Sequence, residues 1–433
     1  MKLTLPSGFG FGGHIQSTLS GLQPISEPLV STFGGEAGSP EDLMLKALMV
    51  SMRGAGETIP NPAVGCLMAN GATVVSVGAT EAYGGRHAER VVFEAMHKSG
   101  QSTSGLNCFV TLEPCSHHGK QPPCCELFQN SRISTLFTAI TDPNPLVNGR
   151  GLKFITNQQI AVETNLGRAK IAATAWLLPF LLQQTLKRPL IAAKWAQTLD
   201  GALADYKGAS QWITGGEARA HGHWLRLKYD VTAVGLNTLL ADKPALTVRD
   251  CWRPNGRQPH ACIIDPSGKA DPNDPQFQIA LEKLISAAPT RKVALLCPHD
   301  HHRNLQNQIP HEVSLLGFER PKQNENLGAL IRNAWIAPEN QHWLGRQPQS
   351  IYVEGGATLI SLLVAADALD VLHVFTAPLL LGGSAQRVGC GPHKFPNLSM
   401  AAHFDILSTT LLGNDMLLEL VPRRIVDLFF ARG

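Results

Sequence analysis

Residues that zinc favours as ligands lie close together in two short stretches of the sequence. The stretch "EPCSHHGKQPPCCEL" (113–127) contains three cysteines and two adjacent histidines, and "HAE" (87–89) stands upstream of it. One histidine and two cysteines would hold zinc and leave a fourth position for water, whose pKa the metal lowers toward neutrality. A glutamate two residues beyond the histidine could pass a proton from that water to a leaving amine. The two stretches therefore predict hydrolytic zinc chemistry.

The order of these residues favours particular ligands. His-x-Glu followed by Pro-Cys-x-x-Cys is typical of zinc nucleobase deaminases. This chain has His87, Glu89 and then Cys115, but eight residues rather than two separate Cys115 from Cys124. The two prolines directly before Cys124 can lead into a helix. We therefore predict that Cys124 lies in the first turn of a helix, where the backbone amides and the dipole favour a thiolate.

Other arrangements of the cysteine-rich stretch stay open. On a helix, Cys125 points about a third of a turn away from Cys124, so only one of the two can bind the metal. A closed structural zinc site would use His117 or Cys125 as a fourth ligand, but such a site would have no use for Glu89.

A second candidate site lies near the carboxyl end of the chain. The stretch "IYVEGGATL" (351–359) predicts a strand, two glycines and a helix that begins near Thr358. Glycines let backbone amides approach a phosphate, and the start of a helix adds its dipole. Joints of this kind are also ordinary tight turns, and the Gly-x-Gly-x-x-Gly fingerprint of dinucleotide-binding folds is absent from this part of the sequence.

Strands that alternate with helices surround both stretches and predict α/β layers. The 433 residues exceed what one ordinary core accommodates. We expect a loosely ordered extension (1–39), a first domain (40–185) that opens with a helix capped by Ser39 and includes a hairpin at Asn70-Gly71, and a second domain (186–425). Residues 299–349 are polar and rich in Asn, Gln and His, and we predict an excursion there.

Composition limits the partners. The net charge of +3 carries no basic block, which gives no electrostatic footprint for nucleic acid. The apolar run 171–182 has twelve residues, whereas a membrane-spanning helix needs about 20. Nine cysteines, four of them crowded between Cys108 and Cys125, indicate a metal site rather than a disulfide framework. This usage and an amino terminus without the apolar core of a secretory signal favour a reducing, cytoplasmic location.

With these motifs in view, the chain resembles the bifunctional riboflavin-biosynthesis deaminase/reductase family. The motifs that carry the resemblance lie between residues 40 and 422 and are "PNPAVGC", "HAE", "TLEPCSHHGKQPPCC", "DPNPLVNGRG", "KWAQTLDG", "SQWITG", "NTLLADKPALTVR" and "VEGGATL". The resemblance implies a three-layer, cytidine-deaminase-like domain followed by a dihydrofolate-reductase-like domain. It also implies zinc and NADPH as cofactors and a homo-oligomer formed through the reductase domain. The implied substrate is a diaminohydroxy-phosphoribosylamino-pyrimidine that is first deaminated and then reduced from ribosyl to ribityl.

The resemblance also assigns expected roles to single residues. In the first domain the zinc ligands would be His87, Cys115 and Cys124, the proton shuttle Glu89, and the substrate contacts Asn61, His117 and Lys120. In the second domain the substrate contacts would be Ser210, Arg226, Leu246, Arg249 and Glu354. The NADPH contacts would be Ala196, Trp212, Thr238, Asp242, Gly356, Ala357, Thr358, Leu359, Ile360, Ser361 and Leu362.

The resemblance gives two further candidate residues, and the chain departs from the family at two positions. Lys194 and Asp200 of "KWAQTLDG" are candidates for ring opening or positioning. Thr80 stands where the family usually has a histidine, and Val91 where histidine or asparagine is common, so substrate positioning could be weaker here. The competing hypothesis is an RNA- or nucleotide-acting deaminase with a carboxyl-terminal recognition domain. The near-neutral charge and the lack of interleaved aromatic and basic residues argue against RNA binding.

Overall fold

The computed structural model describes residues 37–119, 121–144, 147–164, 166–249, 251, 256–323, 325–382, 386–387 and 397–430. These residues form two compact units, which divide between Lys187 and Arg188. The boundary expected at 185/186 falls in the last turn of the helix that ends the first unit. Residues 1–36 of the expected extension lie outside the described ranges.

The first unit is built on a five-stranded sheet. Its strands are β1 (Gly65–Asn70), β2 (Thr73–Ala79), β3 (Asn107–Val110), β4 (Thr135–Thr138) and β5 (Ala161–Glu163), and its helices are α1 (Pro40–Ser51), α2 (Ala88–Lys98), α3 (Arg150–Thr156) and α4 (Gly167–Leu186). The strand order is β2-β1-β3-β4-β5. Strand β1 is antiparallel to both of its neighbours, whereas β3, β4 and β5 run parallel.

Helices cover both faces of this sheet. Successive residues of a strand face opposite sides, so Gly65 and Cys66 on β1 face opposite layers. A Cβ on Gly65 would lie 1.9 Å from the carbonyl oxygen of Ala47 in α1. Gly78, the partner of Cys66 across the hairpin, faces α2 instead, since a Cβ there would lie 2.9 Å from Val92. Helices α1 and α2 therefore pack on opposite faces, which agrees with the predicted three-layer domain.

Local signals in the first unit act as predicted. The side-chain oxygen of Ser39 accepts a hydrogen bond from the N–H of Asp42 at 3.2 Å, and Pro40 takes the first position of α1. Gly71 adopts a φ of +55° in the turn that joins β1 to β2. The apolar run 171–182 lies inside α4. Within the described ranges, no helix is both long enough and apolar enough to cross a membrane.

The second unit is built on a nine-stranded sheet. The strands of this unit, of which β7 and β14 lie outside the large sheet, are β6 (Leu190–Thr198), β7 (Ala202–Ala204), β8 (Val231–Gly235), β9 (His260–Ile264), β10 (Val293–Pro298), β11 (Val313–Phe318), β12 (Ser350–Glu354), β13 (Val371–Ala377), β14 (Gln386–Arg387), β15 (Phe404–Leu412) and β16 (Asp415–Pro422). Its helices are α5 (Gly216–Lys228), α6 (Leu236–Asp242), α7 (Pro275–Ser286), α8 (His299–Leu305), α9 (Leu327–Ala334) and α10 (Ala357–Ala365).

The order of the large sheet is β11-β10-β9-β8-β12-β6-β13-β16-β15, and β7 pairs with β14 in a separate ribbon. The strands from β11 to β13 in this order are parallel, and β16 and β15 add antiparallel pairings at one edge. Residues on both faces of the parallel part are buried. On β8, for example, Val231 and Ala233 belong to one apolar cluster and Val234 to another. Burial on both faces is typical of parallel sheets covered by helices.

The prediction of an excursion at 299–349 is wrong. This stretch supplies β11, the edge strand of the large sheet, and α9. Ile331, Trp335 and Trp343 of the same stretch are buried in the core. The overall polar composition of 299–349 hides these elements, although β11 and α9 each carry buried apolar residues.

Two buried aspartates hold the amino ends of the parallel strands. Asp230 precedes β8 and binds Arg346 through both oxygens at 2.6 and 2.8 Å, while Arg257 lies 3.6 Å away. Asp370 precedes β13 and binds Arg188 in the same way at 2.7 and 2.8 Å. Burial raises the pKa of Asp230, but the two arginines outweigh burial and hold that pKa below its usual value.

We expect Asp230→Asn to lower the free energy of unfolding by about 3 kcal/mol at neutral pH, because it leaves buried cationic partners without their anion. Since the pKa of Asp230 is lower in the folded chain than in the unfolded chain, this stabilisation is present above about pH 4 and is lost as the pH falls through the folded-state pKa. Denaturant titrations at neutral pH and at about pH 3 measure both effects.

The control is Asp367→Asn, which removes a 71% exposed partner of Arg424. This change should cost under about 1 kcal/mol. Equal losses for the two variants at neutral pH, or a cost of Asp230→Asn that grows on acidification, would contradict the assignment.

Candidate active sites

Three donor atoms converge at the amino end of α2. His87 directly precedes that helix in an extended conformation, with φ −73° and ψ 158°. Its Nδ1 lies 3.6 Å from Sγ of Cys115 and 3.4 Å from Sγ of Cys124. The three donor atoms lie within 4.8 Å of one another, which suits one metal ion. An imidazole and two thiols are a zinc-ligand set that leaves a fourth position open, so the residues present fit zinc.

Backbone geometry brings the two cysteines together. The N–H of Cys124 donates to Sγ of Cys115 at 3.3 Å, and the N–H of Cys125 donates to the carbonyl oxygen of Cys115 at 3.1 Å. Cys124 begins a helix after two prolines, as predicted, but the helix is a short 3₁₀ segment, Cys124–Phe128. Cys125 is buried and lies outside the donor group. No other group of this kind occurs among the residues that the structure describes.

Glu89 lies in the first turn of α2, next to the donor group. Its side chain is buried, and the residue is only 4% exposed. Burial, reinforced by the charge of Cys115, raises the pKa of Glu89 to about 7. A carboxyl group with this proton affinity can both take up and release a proton at neutral pH.

The predicted substrate contacts of the first unit are only partly placed. Nδ1 of His117 is buried and has no hydrogen-bond partner within the described ranges. A buried donor or acceptor without a partner is costly, so a bound ligand would stabilise it. Asn61 is half-buried, and its N–H donates to the carbonyl oxygen of Thr58 at 2.8 Å. Lys120 lies outside the described residues.

Two residues that support the first site escaped the sequence analysis. The buried carboxylate of Glu113 accepts hydrogen bonds from the N–H groups of Asp142, Gly149 and Gly151 at 3.2, 2.9 and 3.0 Å. It thereby ties Asp142 and the start of α3 to the strand end that leads into Cys115. Arg86, directly before His87, binds Glu81 and Glu94. The only sequence signal for Glu113 was an acidic residue between a strand and Pro-Cys. No sequence signal pointed to Arg86.

Thr80 and Val91, the two positions that differ from the family's usual residues, both contact neighbouring parts of the first unit. Oγ1 of Thr80 accepts a hydrogen bond from the N–H of Val64 at 3.2 Å, and the N–H of Thr80 donates to the carbonyl oxygen of Val64 at 2.9 Å. Val91 packs beside Gly78, where an added Cβ would lie 2.9 Å from it. Thr80 therefore contacts the backbone just beyond the end of β2, and Val91 packs α2 against the same strand.

In the second unit, the glycine pair forms an open backbone cradle. Gly355 and Gly356 follow β12 with φ values of +60° and +74°, and α10 begins directly after them. A Cβ on Gly356 would lie 3.1 Å from Oγ1 of Thr238, which belongs to α6. Only glycine leaves this space free at such φ values. Backbone amides at the start of a nine-residue helix suit a pyrophosphate, so the residues present fit NADPH.

The other predicted NADPH contacts have different settings. The indole of Trp212 is 65% exposed, and the guanidinium of Arg219 lies 4.6 Å from its ring centroid. Arg219, which the sequence analysis missed, also donates to the carbonyl oxygen of Thr214 at 2.6 Å. Ala196 is half-buried on β6, and Asp242 is exposed at the end of α6. On α10, Ala357 is half-buried and Thr358 is exposed. Four further predicted contacts on this helix have buried side chains and could meet a cofactor only through the backbone: Leu359, Ile360, Ser361 and Leu362.

Two predicted substrate residues of the second unit bind each other. Arg226 and Glu354 form a two-pronged ion pair, with Nη2 and Oε2 2.8 Å apart, and Nη1 of Arg226 donates to the carbonyl oxygen of Thr247 at 2.7 Å. Lys194 on β6 stands in register with Glu354. Burial lowers the pKa of Lys194, and the charge of Glu354 opposes this shift. A half-buried cluster of mixed charge thus lies at the carboxyl end of β12, beside Lys194 in the middle of β6.

The remaining predicted substrate residues differ in exposure. Ser210 and Arg249 are exposed, whereas the side chain of Leu246 is buried and its backbone has a φ of +49°. The carboxylate of Asp200 accepts hydrogen bonds from the N–H groups of Gly382 and Leu381 at 2.7 and 3.3 Å. Asp200 therefore holds a loop.

Comparison with known proteins connects both sites to one family. Residues 38–140 match the cytidine and deoxycytidylate deaminase zinc-binding region, and residues 189–294 and 344–418 match the RibD C-terminal domain. The riboflavin biosynthesis protein RibD of Actinobacillus pleuropneumoniae is 33% identical over 381 residues, which cover 88% of this chain and 94% of that protein. The chain belongs to the RibD family. RibD of Aquifex aeolicus is 38% identical over 344 residues, which cover 79% of this chain and 88% of that protein.

A solved structure agrees with this membership. The deaminase/reductase of Thermotoga maritima is 28% identical and superimposes with a TM-score of 0.70 over 88% of this chain and 98% of that chain. Like other RibD proteins, this chain is a bifunctional enzyme of riboflavin biosynthesis with a zinc-dependent deaminase domain and an NADPH-dependent reductase domain. The predicted fold classes, cofactors and overall activity are confirmed, and the alternative of a nucleic-acid deaminase is not favoured.

We expect Cys124→Ser to empty the metal site, whereas Cys125→Ser should keep about one zinc per chain, because only Cys124 belongs to the donor group. Metal analysis of the purified variants measures this difference. The two changes are matched in chemistry and differ by one position. Zinc loss in Cys125→Ser with zinc retained in Cys124→Ser would reverse the assignment.

Proposed function

We propose that the first unit removes the ring amine from a diaminohydroxyphosphoribosylaminopyrimidine and that the second unit reduces the ribosyl group of the product to ribityl. The solved relative from Thermotoga maritima is a deaminase and a 5-amino-6-(5-phosphoribosylamino)uracil reductase, which names these two substrates for that protein. The observation that carries the proposal is the group of His87, Cys115 and Cys124 beside the buried carboxyl group of Glu89.

In the deaminase step, His87, Cys115 and Cys124 would hold zinc. When bound, zinc supplies a Lewis acid that lowers the pKa of a water molecule. Glu89 would take the proton from the attacking water and deliver it to the leaving amine, a task that suits its raised pKa. His117 would direct its unpaired Nδ1 to the substrate, and Asn61 and Lys120 would complete the contacts.

In the reductase step, the chain binds and orients two ligands. NADPH supplies the hydride when bound. The amides around Gly356 and Thr358 would bind its pyrophosphate, and Trp212 would contact the cofactor while Arg219 fixes the indole. Arg226, which pairs with Glu354, and the exposed Arg249 would supply the positive charge for the substrate phosphate. Lys194 would donate a hydrogen bond to the sugar beside Glu354.

A Glu89→Gln variant tests the division of labour. Supplied with the diamino substrate, the wild type should release ammonia without NADPH and oxidise NADPH only after deamination. The variant should deaminate about 10²- to 10⁴-fold more slowly, because the proton shuttle is lost, and should still bind zinc. Its NADPH-dependent reduction of the pre-deaminated substrate should not change.

The matched control is Glu163→Gln, an exposed glutamate on β5 of the same unit. It should leave both steps unchanged. Wild-type deamination that persists in Glu89→Gln, or equal loss of both steps, would refute the proposed role of Glu89.

We further propose that the enzyme acts in the cytoplasm as a homo-oligomer joined through the reductase unit. The exposed edge strand β15 supports this proposal, because Ile406 and Leu411 on it are 66% and 72% exposed. An edge strand with exposed apolar side chains favours pairing with another chain.

Sedimentation analysis measures the oligomeric state. We expect Leu411→Lys to shift the protein toward the monomer, because a charge cannot be buried in an apolar interface without a partner. Leu398→Lys is the control, since Leu398 is 89% exposed but lies outside the sheet. A wild type that is monomeric, or equal dissociation in the two variants, would argue against an interface at β15.

A further inference from the structure

The loop 245–249, which follows α6, carries two of the predicted substrate contacts in a conformation that its surroundings must enforce. Leu246 is 1% exposed and has a φ of +49°. Residues other than glycine persist in that region only where the surrounding structure fixes them. Arg249, three residues later, is exposed. The position of Arg249 therefore depends on the groups that hold the backbone before it.

Arg291, which lies between α7 and β10, holds the start of this loop. Its Nη1 donates to the carbonyl oxygen of Leu246 at 2.9 Å. Its Nη2 donates to the carbonyl oxygens of Ala245 and Leu284 at 2.6 and 2.7 Å. Leu284 belongs to α7. One guanidinium group thus ties two successive carbonyl groups of the loop to a helix of the core.

Other side chains hold the next two residues of the loop. The carbonyl oxygen of Thr247 accepts a hydrogen bond from Nη1 of Arg226 at 2.7 Å. The side chain of Gln258 accepts from the N–H of Val248 at 2.6 Å and donates to the carbonyl oxygen of the same residue at 3.1 Å. Each carbonyl group from 245 to 248 therefore has a side-chain donor, and the backbone is fixed as far as the last residue of the loop.

Arg291 has no carboxylate partner among the described residues, unlike the arginines that pair with Asp230 and Asp370. It is 6% exposed, its hydrogen bonds go to carbonyl oxygens, and its Nε has no partner within the described ranges. Burial, with a smaller effect from the charge of Arg226, lowers the pKa of Arg291 to about 10, so the side chain is still a cation at neutral pH. A buried cation without an anion is costly, and an anion that binds nearby would offset part of that cost.

Two further guanidinium groups lie around the same loop. Nδ1 of His223 lies 3.0 Å from the carbonyl oxygen of Thr247. Burial lowers the pKa of His223 to about 4, and the charges of Arg226 and Arg249 act in the same direction, so both lie near this imidazole. The loop therefore offers an anionic ligand positive charge from more than one side, which suits a phosphate.

We propose that Arg291 is a positioning residue of the reductase unit, which holds the loop 245–249 so that Arg249 meets the phosphate of the substrate. The inference rests on the proposed substrate contact of Arg249. Arg291 acts through the loop, because its two terminal nitrogens are engaged by carbonyl groups. Its loss should therefore weaken substrate binding and leave the hydride step and the binding of NADPH nearly unchanged.

Steady-state reduction of the pre-deaminated substrate by the full chain at saturating NADPH tests the proposal. Arg291→Lys keeps the charge, but an ammonium group lacks the fixed fork that meets these carbonyl groups. Its KM for the substrate should rise about tenfold to a hundredfold, because a displacement of about 1 Å at a contact is enough for such a loss. Its kcat and its Kd for NADPH should change less than about threefold. Arg346→Lys is the matched control, because it alters the arginine that pairs with Asp230 and should lower thermal stability without changing this KM.

A double variant separates positioning from a general loss of stability. If Arg291 acts through Arg249, then adding Arg291→Lys to Arg249→Gln should raise the KM by less than about twofold beyond the single Arg249→Gln variant. An unchanged KM in Arg291→Lys, or losses that multiply in the double variant, would overturn the proposal.

Arg249→Gln alone reports on the proposed substrate contact. If it leaves the KM unchanged, that contact fails, and the inferred presentation of Arg249 to the phosphate fails with it. Hydrogen exchange, which needs no substrate, still decides whether Arg291 holds the loop. The amide of Val248 should exchange faster in Arg291→Lys than in Arg346→Lys, and equal exchange in the two variants would overturn the positioning role.

Discussion

Burial of the parallel strands on both faces is the constraint on which the architecture of the second unit depends. Helices cover both sides of the large sheet, so its strand interiors can hold almost only apolar residues. Polar groups that carry chemistry must then collect where strands end. The Lys194–Glu354–Arg226 cluster and the glycine pair both lie at the carboxyl ends, which agrees with the usual placement of ligands in such folds.

The two edges of that sheet use buried charge differently. At the amino edge, Asp230 and Asp370 are fully buried and saturated by arginines and backbone amides, so they fix strand positions and have no free valence for a ligand. At the carboxyl edge, Arg226 and Glu354 pair with each other, and burial disfavours the charge of Lys194. The buried aspartates at the amino edge therefore stabilise the fold, whereas the charged residues proposed to contact the substrate lie toward the carboxyl edge.

How much the sequence predicts depends on whether a feature is local. The cap of α1, the turn at Gly71 and the strand-to-helix joint at Gly355 follow from a few adjacent residues, and each lies where it was expected. The zinc donors were found because their order along the chain is distinctive. Glu113 was missed because its partners are backbone amides about thirty residues away, which no side-chain pattern reveals. The mutual pairing of Arg226 with Glu354 was missed for the same reason, since 128 residues separate them. The strand and helices in 299–349 were missed because the stretch as a whole is rich in Asn, Gln and His, which outweighed its short apolar segments.

The hydrogen bonds of Glu113 make metal retention and loop order one cooperative property. Glu113 stands two residues before Cys115, and its carboxylate holds the amides of Asp142 and the start of α3. Local opening there would release the carboxylate and loosen the strand end that carries a metal ligand. Conversely, a metal that binds only the closed arrangement lowers the population of open forms by mass action. Zinc held by His87, Cys115 and Cys124 would therefore also stabilise the hydrogen bonds that Glu113 accepts from Asp142, Gly149 and Gly151.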